Sequence, residues 1–391
     1  MQSIKDRVAI VGMGCSKFGE RWDTASDDLL VESCYEAFED AGIESKDIQA
    51  AWFGSTQQST GQPLAQAIKT EYIPITRIEN ACATASDALM NACNAVAAGI
   101  YDLVLVAGVE KLKDSGVGFL TGGGAPPSSQ VTPPVPPPAQ FALAANRYFH
   151  RYGLSFQEGK RLLAMIDVKN HHNGSLNPKA HFQREITLEQ AINAPMMAYP
   201  LGLFDCCGVS DGSAAAVVAR ADLAKSFRKD YILCKGFGLA VGGQQGQLRD
   251  YYDFTHFDET VNAARMAYEQ AGIKNPREEV DLAEVHDCFS ITELIIYEDM
   301  GWSATGKAKD DIESGFFTLE GGLPVNPDGG LKCFGHPIGA SGLRMVYEVY
   351  KQLQGKAGPR QIKKADIGVT HNLGGRPGSF TCGISIWGRR D

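Results

Sequence analysis

The feature that most constrains this chain is that it repeats itself. Glu36-Ala37-Phe38-Glu39-Asp40-Ala41-Gly42-Ile43 is closely matched by Met266-Ala267-Tyr268-Glu269-Gln270-Ala271-Gly272-Ile273. Each segment reads as the end of an amphipathic helix stopped by glycine, a common helix-ending residue. Each is followed by a short polar connection and then a strand, Ala51-Trp52-Phe53-Gly54 in the first copy and Leu282-Ala283-Glu284-Val285 in the second. The parallel continues. In the first copy a loop at Glu79-Asn80-Ala81-Cys82 leads into a small-residue helix through Ala98 and the strand Leu103–Ala107. In the second, a loop at Phe334-Gly335-His336-Pro337 leads into a helix through Gln354 and the strand Ile367–Thr370. Alternating helices and apolar strands imply α/β layers. Two ordered copies imply two similar halves related by an approximate two-fold, which would set the Cys82 and His336 loops at equivalent positions facing each other. A chance likeness of common α/β text is the alternative; the ordered series of matches favours duplication.

Between the copies lies different text. Gly122-Gly123-Gly124-Ala125-Pro126-Pro127 and Pro133-Pro134-Val135-Pro136-Pro137-Pro138 read as an irregular or polyproline surface segment. Helical text resumes near Phe141 and again over Gly159–Asn170. The expected organisation is a first half over 1–112 and 205–245, an inserted loop domain over 113–204 and a second half over 246–391. Insertions of this kind often carry binding.

Bulk properties narrow the function. The chain has 391 residues, enough for two units of ordinary size, and a net charge of −9, which argues against a broad nucleic-acid footprint. No apolar run is long enough to span a membrane. Val8-Ala9-Ile10-Val11 reads as a strand close to the N-terminus, so no secretory signal is expected and a cytoplasmic setting is. The 10 cysteines are scattered through apolar segments, which suits free thiols, and no CxxC pair occurs, so no structural zinc is expected.

Three segments could carry chemistry. Cys82 precedes a helix read as beginning near Ser86; a thiol there feels the positive end of the helix dipole, which favours its thiolate. Taken alone, Cys82 is either a nucleophile or a buried structural thiol. His336, in Gly335-His336-Pro337-Ile338-Gly339, sits in a tight turn where it is either a base for a nearby thiol or a structural turn histidine. His286-Asp287-Cys288-Phe289 follows a strand and offers a second imidazole and a second thiol, or a partly buried turn. Two sulfurs suit a Claisen-type reaction, one carrying an acyl group and one exchanging a proton with a substrate α-carbon. Two other patterns are decoys. Gly208-Val209-Ser210-Asp211-Gly212 fits the hydrolase G-x-S-x-G, but the text after it reads as a strand where a nucleophile elbow needs a helix. Gly12-Met13-Gly14 lacks the later glycine and the acidic ribose ligand of a dinucleotide turn.

Together these segments resemble the thiolase superfamily, and within it the sterol-carrier-protein-type thiolases and their bacterial and archaeal relatives, including the acetyl-CoA acetyltransferase-like and benzoylsuccinyl-CoA thiolase-like members. The resemblance rests on Asn80-Ala81-Cys82, Ala107-Gly108-Val109-Glu110-Lys111, Ser175-Leu176-Asn177-Pro178, Cys206-Cys207-Gly208-Val209-Ser210-Asp211-Gly212, His286-Asp287-Cys288-Phe289 and Gly335-His336-Pro337, and so covers nearly the whole chain. It implies the thiolase fold, two α/β halves layered α-β-α-β-α. It also implies an acyltransferase of acyl-CoA metabolism or β-oxidation, using coenzyme A as substrate or product and holding no permanent cofactor or metal. By the same resemblance Cys82 is acylated and His336 activates it. His286 helps hold a thioester oxygen with a water, Cys288 is the acid/base, and the N–H groups of Cys82 and Gly374 form an oxyanion hole. A homodimer is implied, and a small partner built from a zinc ribbon and an OB-fold, for which the Pro-rich 126–138 segment would be a docking or lid element.

The chain departs from the wider family at Asn372, which stands where many thiolases carry their second cysteine, and at Arg376-Pro377, where relatives have small residues. Arg376 could meet a substrate carboxylate, as a bulky aryl-dicarboxyl substrate would require, or be structural. Two further readings stay open: a thiolase-fold aldolase of the steroid side-chain type, and a noncatalytic scaffold subunit.

Overall fold

The computed structural model describes residues 3–116, 135–250 and 252–389. The Gly/Pro-rich text up to Pro134 lies outside the described residues. Strands are β1 (Val8–Cys15), β2 (Ala50–Gly54), β3 (Ile75–Ile78), β4 (Leu103–Glu110), β5 (Met196–Ala198), β6 (Leu201–Gly202), β7 (Gly212–Arg220), β8 (Ile232–Val241), β9 (Leu282–Glu284), β10 (Ile367–Arg376) and β11 (Ser379–Gly388). The longer helices are α1 (Ser26–Ala41), α2 (Thr84–Ala97), α3 (Pro137–Arg151), α4 (Phe156–Ser175), α5 (Asp258–Ala271), α6 (Ser290–Asp299) and α7 (Ser341–Leu353). None is long and apolar enough to cross a membrane.

The duplication is visible atom by atom. Helix α1 ends with Gly42 at φ 70° and a bond from Ile43 N–H to Phe38 O; helix α5 ends with Gly272 at φ 80° and the matching bond from Ile273 N–H to Tyr268 O. Each helix lies directly on the backbone of a strand. A Cβ at Gly12 or Gly14 of β1 would come within 2.3 Å of Ala37 O or 2.0 Å of Ser33 O on α1, and one at Gly236 or Gly238 of β8 within 2.5 Å of Ala267 O or 1.9 Å of Ala263 O on α5. The Gly12-Met13-Gly14 text is therefore a seat for a helix inside a strand, not a nucleotide turn.

The strands follow the same correspondence. The order is β3-β2-β4-β7-β1-β8-β11-β10-β9. Outward from the middle, β1, β7 and β4 run antiparallel with β2 parallel to β4, and β8, β11 and β10 run antiparallel with β9 parallel to β10. Val325 bridges to β9 as β3 pairs with β2. The half-sheets are not separate: Ala9–Leu233 and Ile10–Ile232 join them edge to edge into one mixed sheet of nine strands. Strand β8, placed with the first half in the 205–245 reading, pairs along most of its length with β11 and is the counterpart of β1.

Helix α1 covers the outer face of the first half-sheet and α5 that of the second, while α2 and α7 lie between the half-sheets and against each other. The middle layer is apolar, with Ala88, Leu89, Ala92 and Val96 of α2 and Leu343, Val346, Val349 and Tyr350 of α7 in one buried cluster. That places the N-termini of α2 and α7, hence the loops before them, side by side. The inserted helices α3 and α4 branch from the first half in sequence but bury Phe141, Phe149, Leu162 and Ile166 in the core of the second half, with Leu294 and Ile295 of α6.

Candidate active site

Cys82 stands at a corner built by the first turn of α2. Thr84, the first residue of the helix, accepts a hydrogen bond from Asn80 N–H at 2.8 Å and donates to Ala81 O at 2.5 Å, while Asn80 Nδ2 donates to Asp87 at 2.6 Å. Ala81 is forced to φ 49°, a left-handed conformation that costs about 1–2 kcal/mol for a residue with a side chain. The thiolate expected from the helix dipole does not form at rest. Burial and the nearby Glu110 carboxylate push the Cys82 thiol up to about 12, and the dipole of a helix end is too weak to offset them.

His336 sits at the equivalent corner of the second half, where Gly335 at φ 124° brings the backbone against Ser210 Oγ. Ser341, the first residue of α7, donates its hydroxyl proton to Pro337 O at 2.8 Å, and its oxygen lies 2.7 Å from His336 Nδ1. The hydroxyl proton being committed, Nδ1 carries the hydrogen and Nε2 is left as a bare lone pair. That Nε2 is buried and has no hydrogen-bond partner. Burial and Arg344 push the imidazole down to about 3, so it rests neutral.

The two corners interlock through glycines. A Cβ at Gly108, near the end of β4, would lie 2.0 Å from Gly339 O, and one at Gly54, the end of β2, 3.0 Å from the same atom. Glu110 fastens the contact by accepting from Thr56 N–H at 2.5 Å and from Gly339 N–H at 3.2 Å, with Ser55 Oγ 3.4 Å away. Desolvation raises this buried carboxyl to about 7.

The remaining residues converge here. Cys82 Sγ and one nitrogen each of His286 and His336 all lie within 4.8 Å of one another. Among the described residues these three are the donor cluster that could close on a soft divalent cation. His286 meets His336 edge to face and its Nδ1 lies 3.2 Å from Asn372 Nδ2. Gly374, in the same strand as Asn372, leans on the nucleophile loop: a Cβ there would lie 3.0 Å from Cys82 N and 2.4 Å from Asn80 O. The Cys288 thiol is buried beside Thr292 Oγ1 at 3.9 Å and is raised well above the ordinary thiol value by burial, then by Cys207 and Cys82. The fixed point of the His286–Cys288 segment is Asp287, which accepts from Leu331 N–H at 2.5 Å and from Asn170 Nδ2 of α4 at 2.9 Å. Lys332, paired with Asp167 of α4 at 2.5 Å, completes this buried lattice.

Sequence reasoning missed Ser341, Glu110, Asp287 and Cys207 as parts of the site. Ser341 alone left a readable sign, a hydroxyl at a helix start five residues after a turn histidine. Cys207 is tied to Cys288 by a backbone bond of 2.9 Å, a pairing no local pattern announces. Ser210 of the G-x-S-x-G text does bond His181 Nδ1 at 2.8 Å, but it is fully buried and β7 follows it directly, so it is no nucleophile elbow. Arg376 is exposed at the end of β10, two residues beyond Gly374.

Residues 8–124 match the model of the thiolase N-terminal domain, and residues 240–384 the thiolase C-terminal domain-like model. The chain belongs to the thiolase family. An acetyl-CoA acetyltransferase of Methanothermobacter thermautotrophicus is 40% identical over 98% of this chain and 99% of its own length. The benzoylsuccinyl-CoA thiolase subunit BbsB of Thauera aromatica is 31% identical over 95% and 96%. Among solved structures, the Ltp2-ChsH2(DUF35) aldolase superposes with a TM-score of 0.84 at 26% identity, covering 99% of this chain and 98% of that one. This thiolase-family chain is an acyltransferase.

Proposed function

We propose that the protein catalyses coenzyme A-dependent cleavage of a 3-oxoacyl-CoA, or the reverse Claisen condensation, through an acyl-enzyme on Cys82. The observation that carries this is the neutral pair of a Cys82 thiol and a His336 imidazole whose Nε2 lone pair is buried and unpartnered. In this reading Nε2 takes the thiol proton as the sulfur attacks the substrate carbonyl. The tetrahedral oxyanion is held by the N–H groups of Cys82 and Gly374. Collapse breaks the carbon–carbon bond on cleavage, or the carbon–sulfur bond on condensation. In cleavage the leaving enolate takes its proton from Cys288, whose raised pKa suits a donor that gives up its proton only to a strong carbon base. His286 holds the oxygen of that enolate. Coenzyme A then gives its thiol proton to the Cys288 thiolate as its sulfur attacks the acyl-enzyme, and Cys82 leaves with the proton that His336 had taken.

Incubation with an acyl-CoA tests this: the peptide containing Cys82 gains the mass of one acyl group, and the Cys82→Ser variant gains none. An unmodified Cys82 in an enzyme with full turnover would instead favour the second reading, a thiolase-fold aldolase, which the likeness to the solved aldolase supports. Retention of Cys82, His286, Cys288 and His336 favours the first.

Two further parts of the reading follow from the relatives' names. The solved neighbour is named together with a DUF35 protein and one relative is named a subunit, which supports a partner protein; the zinc-ribbon/OB-fold build of that partner and a homodimer are carried over from the resemblance alone. Purification of a fully active homo-oligomer alone would refute that partner. The benzoylsuccinyl-CoA thiolase relative together with Arg376 near Gly374 supports a carboxylated substrate, to be decided by a panel of acetoacetyl, longer 3-oxoacyl and aryl-dicarboxyl thioesters.

A further inference from the structure

We infer that Asn372 is a positioning residue that holds His286 in the tautomer with hydrogen on Nε2, so that this imidazole is a fixed hydrogen-bond donor and neither a base nor a cation ligand. The catalytic consequence rests on the function proposed above; the tautomer itself does not.

The placement of the amide atoms of Asn372 carries the assignment. Ser86, in the first turn of α2, donates its hydroxyl to Asn372 Oδ1 at 3.3 Å. The amide oxygen being thus engaged, the nitrogen faces His286 Nδ1 at 3.2 Å. An amide nitrogen can only donate, so Nδ1 must accept, and the ring hydrogen of a neutral imidazole must then sit on Nε2. The ring is neutral because burial and the neighbouring histidines hold it well below the ordinary histidine value. Asn372 is fully buried in β10, and Gly342 at the start of α7 leaves it room, since a Cβ there would lie 2.9 Å from Oδ1. Ser86, Asn372 and His286 thus form one chain from the helix that carries the nucleophile corner to the strand end that carries the second imidazole.

Two consequences follow. Beside Cys82 the two histidines have opposite fixed roles: His336 offers a lone pair and His286 an N–H. And the three-donor cluster is closed to soft cations, because a neutral His286 whose Nδ1 accepts from Asn372 and whose Nε2 carries the hydrogen has no free lone pair for an ion. A catalytic thiol between two imidazoles would otherwise be a trap for zinc.

The direct test is the nitrogen-15 spectrum of imidazole-labelled protein, in which the 8 histidines are few enough to assign by single substitutions. His286 should show a protonated Nε2 and an unprotonated Nδ1; the opposite pattern overturns the inference with no variant required. The variant test is Asn372→Asp. Its carboxylate accepts from Nδ1–H, reverses the tautomer and builds the carboxylate–histidine pair that supports metal binding. Cadmium titration, read by the thiolate-to-cadmium absorbance, should give at least tenfold tighter binding than in the wild type. Cys82 acylation by a simple acyl-CoA, which breaks only a carbon–sulfur bond, should stay within about threefold, while the step that forms or breaks the carbon–carbon bond should fall by about 10²–10³, as for loss of an oxyanion donor. Equal cadmium affinity, or an equal fall in both half-reactions, would show Asn372 to be merely structural. If wild-type Cys82 takes up no acyl group, the proposed function fails while the spectroscopic and cadmium results still decide the tautomer.

Discussion

His286 and His336 meet edge to face, with ring centroids 5.3 Å apart and planes at 83°, and each has one nitrogen bonded to a residue of the second half, Asn372 or Ser341. Because His336 is neutral down to about pH 3 and Cys82 remains a thiol up to about pH 12, the ground state is an uncharged pair throughout the working range. The rate of Cys82 acylation should therefore show no histidine-like acid limb between pH 5 and 8, as read in single-turnover quench experiments. A limb near pH 6 that disappears in His336→Gln would mean a resting thiolate–imidazolium pair instead.

Ser341 fixes which nitrogen of His336 is free. The Ser341→Ala variant should lose about tenfold in acylation rate with little change in KM, and Ser341→Thr should restore most of it, since either hydroxyl can donate to Pro337 O and accept from Nδ1–H.

Glu110 links stability to pH. Its carboxyl is raised from 4.5 to about 7, so the folded protein holds this proton more tightly than the unfolded chain. The favourable contribution is complete below pH 4.5 and is lost as pH rises through 7, amounting to about 3 kcal/mol. Urea denaturation should show Glu110→Gln gaining on the wild type by up to about that amount at pH 8 and hardly at all at pH 4.5. With the negative charge gone, the Cys82 thiol should also alkylate faster at pH 8, because Glu110 is one cause of its raised pKa.

The glycine interlock should be intolerant. Gly108→Ala would set a methyl carbon 2.0 Å from Gly339 O and push the His336 corner away from Cys82. We expect a loss of 10²-fold or more in kcat/KM, consistent with the sensitivity of reacting geometry to displacements of about 1 Å. The accompanying destabilisation should be about 1–3 kcal/mol, measured by thermal or urea unfolding. Normal acylation in this variant would mean that the corners are not held by this contact.

Lys332 is buried against Asp167 at 2.5 Å and lies among Asp287, Asp205 and Glu293. Lys332→Met leaves buried carboxylates uncompensated and should cost about 3–5 kcal/mol in urea unfolding. Since Asp287 anchors the segment bearing His286 and Cys288, the carbon–carbon step should suffer more than acylation of Cys82 by a simple acyl-CoA.

Much of the fold was legible because duplication is a pattern in text. The helix ends at Gly42 and Gly272 and the corners at Cys82 and His336 could be aligned by eye, and the structure brings the corners together. The strongest mark of the duplication, the glycine pairs 12/14 and 236/238, was not legible: it resides in what each glycine touches, a carbonyl on a helix about 20–30 residues away. The packing of α3 and α4 on the second half was equally hidden, because chain order placed them in the first. In the candidate site, Cys82 was singled out, but the balance of forces on its thiol was not legible. A helix dipole can be read from sequence, whereas the desolvation and the Glu110 carboxylate that outweigh it depend on three-dimensional neighbours. Asn372 was noticed only as a substitute for a cysteine; its bond to His286 spans 86 residues of chain.

The matched helix-on-strand seats also bear on ancestry. A half-length progenitor that paired with itself would reproduce the joined sheet and the facing corners, but it would carry the same side chain at both. Two thiols or two imidazoles cannot divide attack and proton removal between them. Placing both copies on one chain let the equivalent corners diverge, one to sulfur and one to nitrogen. The reaction proposed for this protein depends on that single broken equivalence within a frame that otherwise remains close to symmetric.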